Sequence, residues 1–120
     1  MPIVTVHWSS PIDDNQKQQL IDTMTDTIQR VTGTPKDRVY VFFRYYQAGD
    51  VSNPGCPVVQ INWTAQPERN DANKSQLIKQ IGRHLATYPS VNSEKTVVII
   101  NDTPPESAGV GGISRAVKPD

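Results

Sequence analysis

Cysteine is almost absent from this sequence. Cys56 stands alone among 120 residues, which excludes an internal disulfide and any Cys-rich metal site. Nothing marks it as activated, and it reads as structural. Histidine is scarce as well: His7 and His84 lie far apart and lack a metal-ligand spacing such as His-Glu-x-x-His. No metal and no organic cofactor is expected. An excess of either charge is also missing. Twelve Lys and Arg offset twelve Asp and Glu, so no bulk field draws the chain to nucleic acid or to an anionic membrane. Any anion must be held by a few placed cations. No apolar run approaches the ~18–20 residues of a membrane span. The opening MPIVTVHW has no basic region and does not read as a signal peptide, so the expected location is the cytoplasm. Hydrophobic residues make up only 36%, so a single domain of this length has a modest core and gains from oligomerisation.

What is there is one unit written twice. The segment Pro2-Ile3-Val4-Thr5-Val6-His7-Trp8 returns as Pro57-Val58-Val59-Gln60-Ile61-Asn62-Trp63, and both read as β-strands. A helical stretch follows each. Leu20, Ile21, Met24 and Ile28 have the spacing of one buried helical face, and so do Leu77, Ile78, Ile81 and Leu85. Comparing the strand and helix offsets places two extra residues in the second strand-to-helix loop, within Thr64 to Asn73. Asp13 or Asp14 can cap the first helix, and Asn70 or Asp71 the second. The helices end on Gly33-Thr34-Pro35 and on Tyr88-Pro89. A second strand follows in each half, over Arg38 to Tyr45 and Thr96 to Asn101, and then a Gly- and Pro-rich tail suited to a hairpin. One domain of two repeats, about 2–55 and 57–113, accounts for the chain.

Parallel strands joined by a helix need a right-handed crossover. Two such units side by side make an α+β fold: a four-stranded sheet with two helices on one face, plus short hairpin strands. An ordinary ferredoxin-type sandwich has a similar element order, and topology alone leaves both open. In the first case the other sheet face is apolar and uncovered, with Val4, Val6 and Trp8 among its candidates, and a further copy of the chain is its simplest cover.

Met-Pro-Ile-Val-Thr-Val-His, then Asp14-Asn15-Gln16-Lys17 opening a helix, then Val39 to Phe43, resembles 4-oxalocrotonate tautomerase over the whole first half. The second half resembles it again and ends on Gly109-Val110-Gly111-Gly112, similar to that family's Gly-Ile-Gly-Gly turn. The double length resembles the fused members of the tautomerase superfamily. It implies a homotrimer in which three double units mimic six single ones. It also implies that Pro2, once Met1 is removed, is the catalytic group. Proline alone leaves a secondary amine at a free terminus. An α-amino group has a reference pKa of ~7.7–8, and an apolar pocket with a nearby Arg poises it as a base. Pro57 holds the equivalent place in the repeat, but its nitrogen is an amide and cannot titrate.

The family's carboxylate-binding arginines are only partly present. One slot falls at Ile12 in the first half and, allowing for the insertion, at Arg69 in the second. Arg69 is therefore the candidate clamp, as a planar guanidinium grips a carboxylate through two hydrogen bonds. Read as an exposed loop residue, it contributes little to stability. The second slot falls at Tyr40 and Val97, of which Tyr40 can donate to a developing enolate oxygen. Strand alternation puts Tyr40, Phe42 and Arg44 on one face, so Arg44 is either a displaced cation of the site or a surface residue. Val110 and Ile99 stand where the related dehalogenase carries its carboxylate and Tyr, which argues against dehalogenation. Use of a dicarboxylate is also in doubt, for want of a second clamp. The expected function is tautomerisation of an unsaturated 2-oxo acid, with a small carboxylate as the only partner besides further copies of the chain. Decarboxylation or hydration by the same Pro, and a non-catalytic trimer, are the alternatives.

Overall fold

The structure is a computed structural model and describes residues 1–117. β1 spans Ile3–Trp8, α1 Asp14–Thr32 and β2 Tyr40–Tyr45; the repeat gives β3 at Val58–Thr64, α2 at Asp71–Leu85 and β4 at Val97–Thr103. A small antiparallel hairpin, β5 (Gly109–Val110) and β6 (Ile113–Ser114), closes the second half. A short 3-10 turn at Ala48–Asp50 repeats as Pro105–Ser107, but the first half follows it with no hairpin. Lys36–Arg38 also forms such a turn, so the strand expected from Arg38 begins at Tyr40.

The sheet order is β2-β1-β3-β4. Each half pairs its own strands in parallel, β1 with β2 and β3 with β4, while β1 meets β3 antiparallel. The two halves are thus related by a pseudo-twofold axis between the central strands, which sets Ile3 opposite Asn62 and His7 opposite Val58.

Alternation along the central strands decides which face is covered. Val4, Val6 and Trp8 of β1, with Val59, Ile61 and Trp63 of β3, are buried in the core. From the helices come Leu20, Met24 and Ile28, then Leu77, Ile81 and Leu85. The expectation that Val4, Val6 and Trp8 lie on the open face is therefore wrong. The period of two was right, but the phase was assigned to the wrong face. Ile3, Thr5 and His7 occupy the open face instead, beside exposed Tyr40, Phe42 and Arg44 of β2. Ile78 also departs from expectation: it is 46% exposed, on the outer side of α2.

Local chemistry explains the helix limits. Asp13 caps α1 by accepting from the Gln16 N–H at 2.7 Å, and the Gln16 side chain accepts from the Asp13 N–H at 3.0 Å, a reciprocal capping box. Gly33 ends α1 at φ +75°, with its N–H donating to the Gln29 carbonyl at 2.8 Å. Asn70 caps α2 through the Asn73 N–H at 2.9 Å. Among the described residues, no helix is long and apolar enough to cross a membrane.

Candidate active site

Pro2 is buried at the entrance to β1, and its carbonyl accepts the Tyr40 N–H at 2.9 Å. Its nitrogen is acylated by Met1, so the basic nitrogen here is the primary amine of Met1. Removal of Met1 passes that role to the Pro2 secondary amine. Met1 lines two clefts, of about 310 and 220 Å³. The larger is walled by the end of α1 and its cap, Thr32 to Pro35, and by Arg38, Gln66, Glu68, Arg69 and Arg115. The smaller is formed by Ile3, the end of β3 and Ala108 just before the hairpin.

Burial and charge act together on this amine. It is pushed down from its ordinary value of 8.0 to about 5, by burial first and then by Arg69, Arg115 and Arg38 in turn. A cation is disfavoured where water is scarce and three guanidinium groups already stand. The neutral, proton-accepting form therefore dominates at neutral pH.

Arg69 is not an exposed loop residue. It is only 5% exposed, a correction to its expected small part in stability. Its guanidinium lies over the Trp63 ring, 5.2 Å from the centroid. Nη1 donates to the Thr64 carbonyl at 2.5 Å, and Nη2 to Thr34 Oγ1 at 3.4 Å. Among the described residues Nε is buried without a partner, as is Thr64 Oγ1 in the adjoining cleft. Unsatisfied buried polar atoms are rare, and in a cleft wall they are what a polar ligand satisfies. The two extra residues of the repeat belong to the loop that carries Arg69 inward, and the Asn70 cap holds its far end.

Arg38 and Arg115 were not singled out from the sequence. Arg38 closes the turn before β2, and the hairpin returns Arg115 to the cleft, its N–H bonded to the Ala108 carbonyl at 2.8 Å. The basic residue before β2 was a usable signal, since Lys95 repeats it in the second half. Arg115 offered none. Three arginines against Glu68 leave the cleft positive, with more cations than the sequence pattern indicated. Tyr40 and Arg44 line neither cleft. Their side chains stay on the open sheet face, and Tyr40 meets Pro2 through its backbone N–H. Among the described residues no group of three or more His, Cys, Asp or Glu is placed to hold a metal ion.

A family model described as tautomerase enzyme matches residues 2–52 and 57–117, both repeats. No curated protein matches the chain. Among solved structures it is similar to native fused 4-OT, with 25% identity and a TM-score of 0.81 over 95% of this chain and 96% of that one. It is similar to a wild-type fused 4-OT asymmetric trimer at 24% identity and a TM-score of 0.85, with the same coverage. A member of the cis-3-chloroacrylic acid dehalogenase family shares the fold at 20% identity, with a TM-score of 0.76 over 93% of this chain and 82% of that one.

Proposed function

The chain belongs to the tautomerase family, and on that premise we propose that it is a cofactor-independent isomerase of unsaturated 2-oxo acids. Pro2, freed of Met1, takes the proton of the enol hydroxyl or of an acidic C–H and returns it to another carbon of the conjugated system. No σ-bond other than to hydrogen is made or broken, the π-bonds shift along the conjugated system, and the amine ends in its starting state. Arg69 and Arg115 hold carboxylate oxygens, and Arg38 adds positive charge at the cleft mouth. The same cations stabilise the dienolate that forms as the proton leaves. Tyr40 and Arg44 act, in this reading, across the open face on a neighbouring copy's site, with a smaller effect than Arg69.

The observation that carries the reading is the half-buried terminal amine, pushed down to about 5 beside three arginines. A surface terminus would be protonated at neutral pH and useless as a base. Assembly follows the same line. The open sheet face exposes Ile3, Phe42 and Ile99 at 37%, 54% and 43%, and similar solved structures are described as trimers. A homotrimer covers that face.

Turnover of 2-hydroxymuconate or phenylenolpyruvate tests the proposal. Processed protein should be active, and Pro2→Ala should lose about 10²-fold or more while remaining folded. Equal turnover with and without Met1 would remove Pro2 from the mechanism. A non-catalytic trimer is the second reading, and one feature favours it: while Met1 stays, the Pro2 nitrogen is an amide. That reading requires processed protein to be inactive as well.

A further inference from the structure

A cavity of about 670 Å³ lies away from the terminal amine, at the other end of β1. It is the pseudo-twofold image of the smaller amine cleft. Cys56 takes the place of Met1, Val58 of Ile3, His7 of Asn62, and Val51 of Ala108. Pro57 nitrogen is an internal amide, so this copy lacks the terminal amine of the first. The duplicate has nonetheless kept its space and changed its lining.

We propose that this cavity is a second binding site, for a small monocarboxylate with an apolar body, which it holds without turning it over. Its volume is in the usual range for small-molecule sites, ~300–1,000 Å³. Trp8, Val51, Val58 and Val97 form an apolar wall. Against it stands a fixed polar group: His7 Nδ1 bonds to the Tyr46 hydroxyl at 2.8 Å, and Nε2 to Gln60 Oε1 at 2.8 Å. That bond spends the Gln60 carbonyl oxygen and leaves its amide N–H donors without a partner among the described residues. Lys95 brings the only full positive charge to the lining, and no Asp or Glu stands with it. Among the described residues Lys95 makes no ion pair. One cation matches one carboxylate. The amine cleft, with its three arginines, favours a more highly charged anion, so the two sites divide ligands by charge.

The walls are fixed in advance of any ligand. Gly55 N–H donates to Ser9 Oγ at 3.0 Å, Asn92 N–H to the Gly55 carbonyl at 2.8 Å, and Ser10 Oγ to the Ser90 carbonyl at 3.1 Å. Gly55 has φ +80°, and a Cβ there would meet the Ser90 carbonyl oxygen at 3.1 Å. The backbone junction behind Ser9 and Cys56 of the lining therefore requires glycine.

Cinnamate is a suitable probe, being an apolar-bodied monocarboxylate with no 2-oxo group to tautomerise. Its binding to the full-length protein is read by calorimetry, and its position by the rate at which iodoacetamide alkylates Cys56. Neither readout depends on turnover, so the result stands apart from the fate of the catalytic proposal. Cinnamate should slow Cys56 alkylation severalfold. Exposed Lys95→Gln and Lys95→Glu should weaken its binding by about tenfold or more, the loss of one charge-assisted contact. Arg69→Ala, which disables the amine cleft, should leave it unchanged. Cys56 alkylation indifferent to saturating cinnamate would overturn the proposal. So would binding that survives both Lys95 variants, that fails in Arg69→Ala alone, or that is absent altogether.

Discussion

The terminal amine and Arg69 are costly to bury, and the chemistry assigned to each follows from that cost. An amine lowered from 8.0 to about 5 is neutral across most of the physiological range. Only the neutral form accepts a proton, so activity is present above the lowered value and lost as pH falls through it. In the proposed mechanism Pro2 becomes the terminus after processing, beside the same three arginines. The pH profile of kcat/KM in mature protein should therefore show an ascending limb well below pH 8. A limb at or above 8 would mean that the amine is solvated in the working enzyme. For Arg69→Ala, kcat/KM on carboxylate substrates should fall by roughly 10²-fold, and a carboxylate-free ketone should be unaffected. Unlike an exposed arginine, this one also holds the fold. Losing its bond to the Thr64 carbonyl and its stacking on Trp63 should cost about 1–3 kcal/mol in urea unfolding. Arg115→Ala should raise KM for a dicarboxylate more than for a monocarboxylate. Equal effects on the two would remove it as a second clamp.

The helices carry the next set of constraints, and their ends separate stability from function. Asp13 lines neither amine cleft, so Asp13→Ala should cost about 1 kcal/mol by loss of the capping box and leave kcat/KM alone. Gly33 is different. It ends α1 in the left-handed region and lines the amine cleft beside Thr34. A Cβ there meets no atom within 4 Å, so the cost of Gly33→Ala is backbone strain alone, about 1–2 kcal/mol. Because Thr34 receives a bond from Arg69, the same change should also lower turnover. A Gly33→Ala protein with wild-type kcat/KM would show that the cap and the clamp are independent. Both caps were readable from sequence, since Asp and Asn before an apolar-periodic run have a local mechanism. The start of β2 was not: the turn at Lys36–Arg38 is decided by how Pro35 leads the chain out of α1.

At the scale of the molecule, the uncovered sheet face governs assembly. Phe42 is 54% exposed on that face, midway along the edge strand β2, so Phe42→Glu should dissociate the proposed trimer without unfolding the monomer. Light scattering reads the outcome directly. A wild-type protein that is monomeric at micromolar concentration would leave the face without an occupant. Activity lost together with the trimer would place part of the site between copies, where Tyr40 and Arg44 stand.

Repeat, element order and capping residues were all present in the sequence. Each depends on neighbours within a few positions or on comparison of one half with the other. The face of β1 that meets the helices was not present there, because alternation defines two faces and only packing says which is covered. Arg38 and Arg115 lie 77 positions apart in the chain, and no local pattern joins them. They meet at the amine because the sheet order and the return of the hairpin bring a turn and the chain's end to one edge. The same pseudo-symmetry opened a second cavity at the opposite end of β1. Repetition in the sequence implied that such a cavity exists, and only the tertiary structure decided which side chains line it.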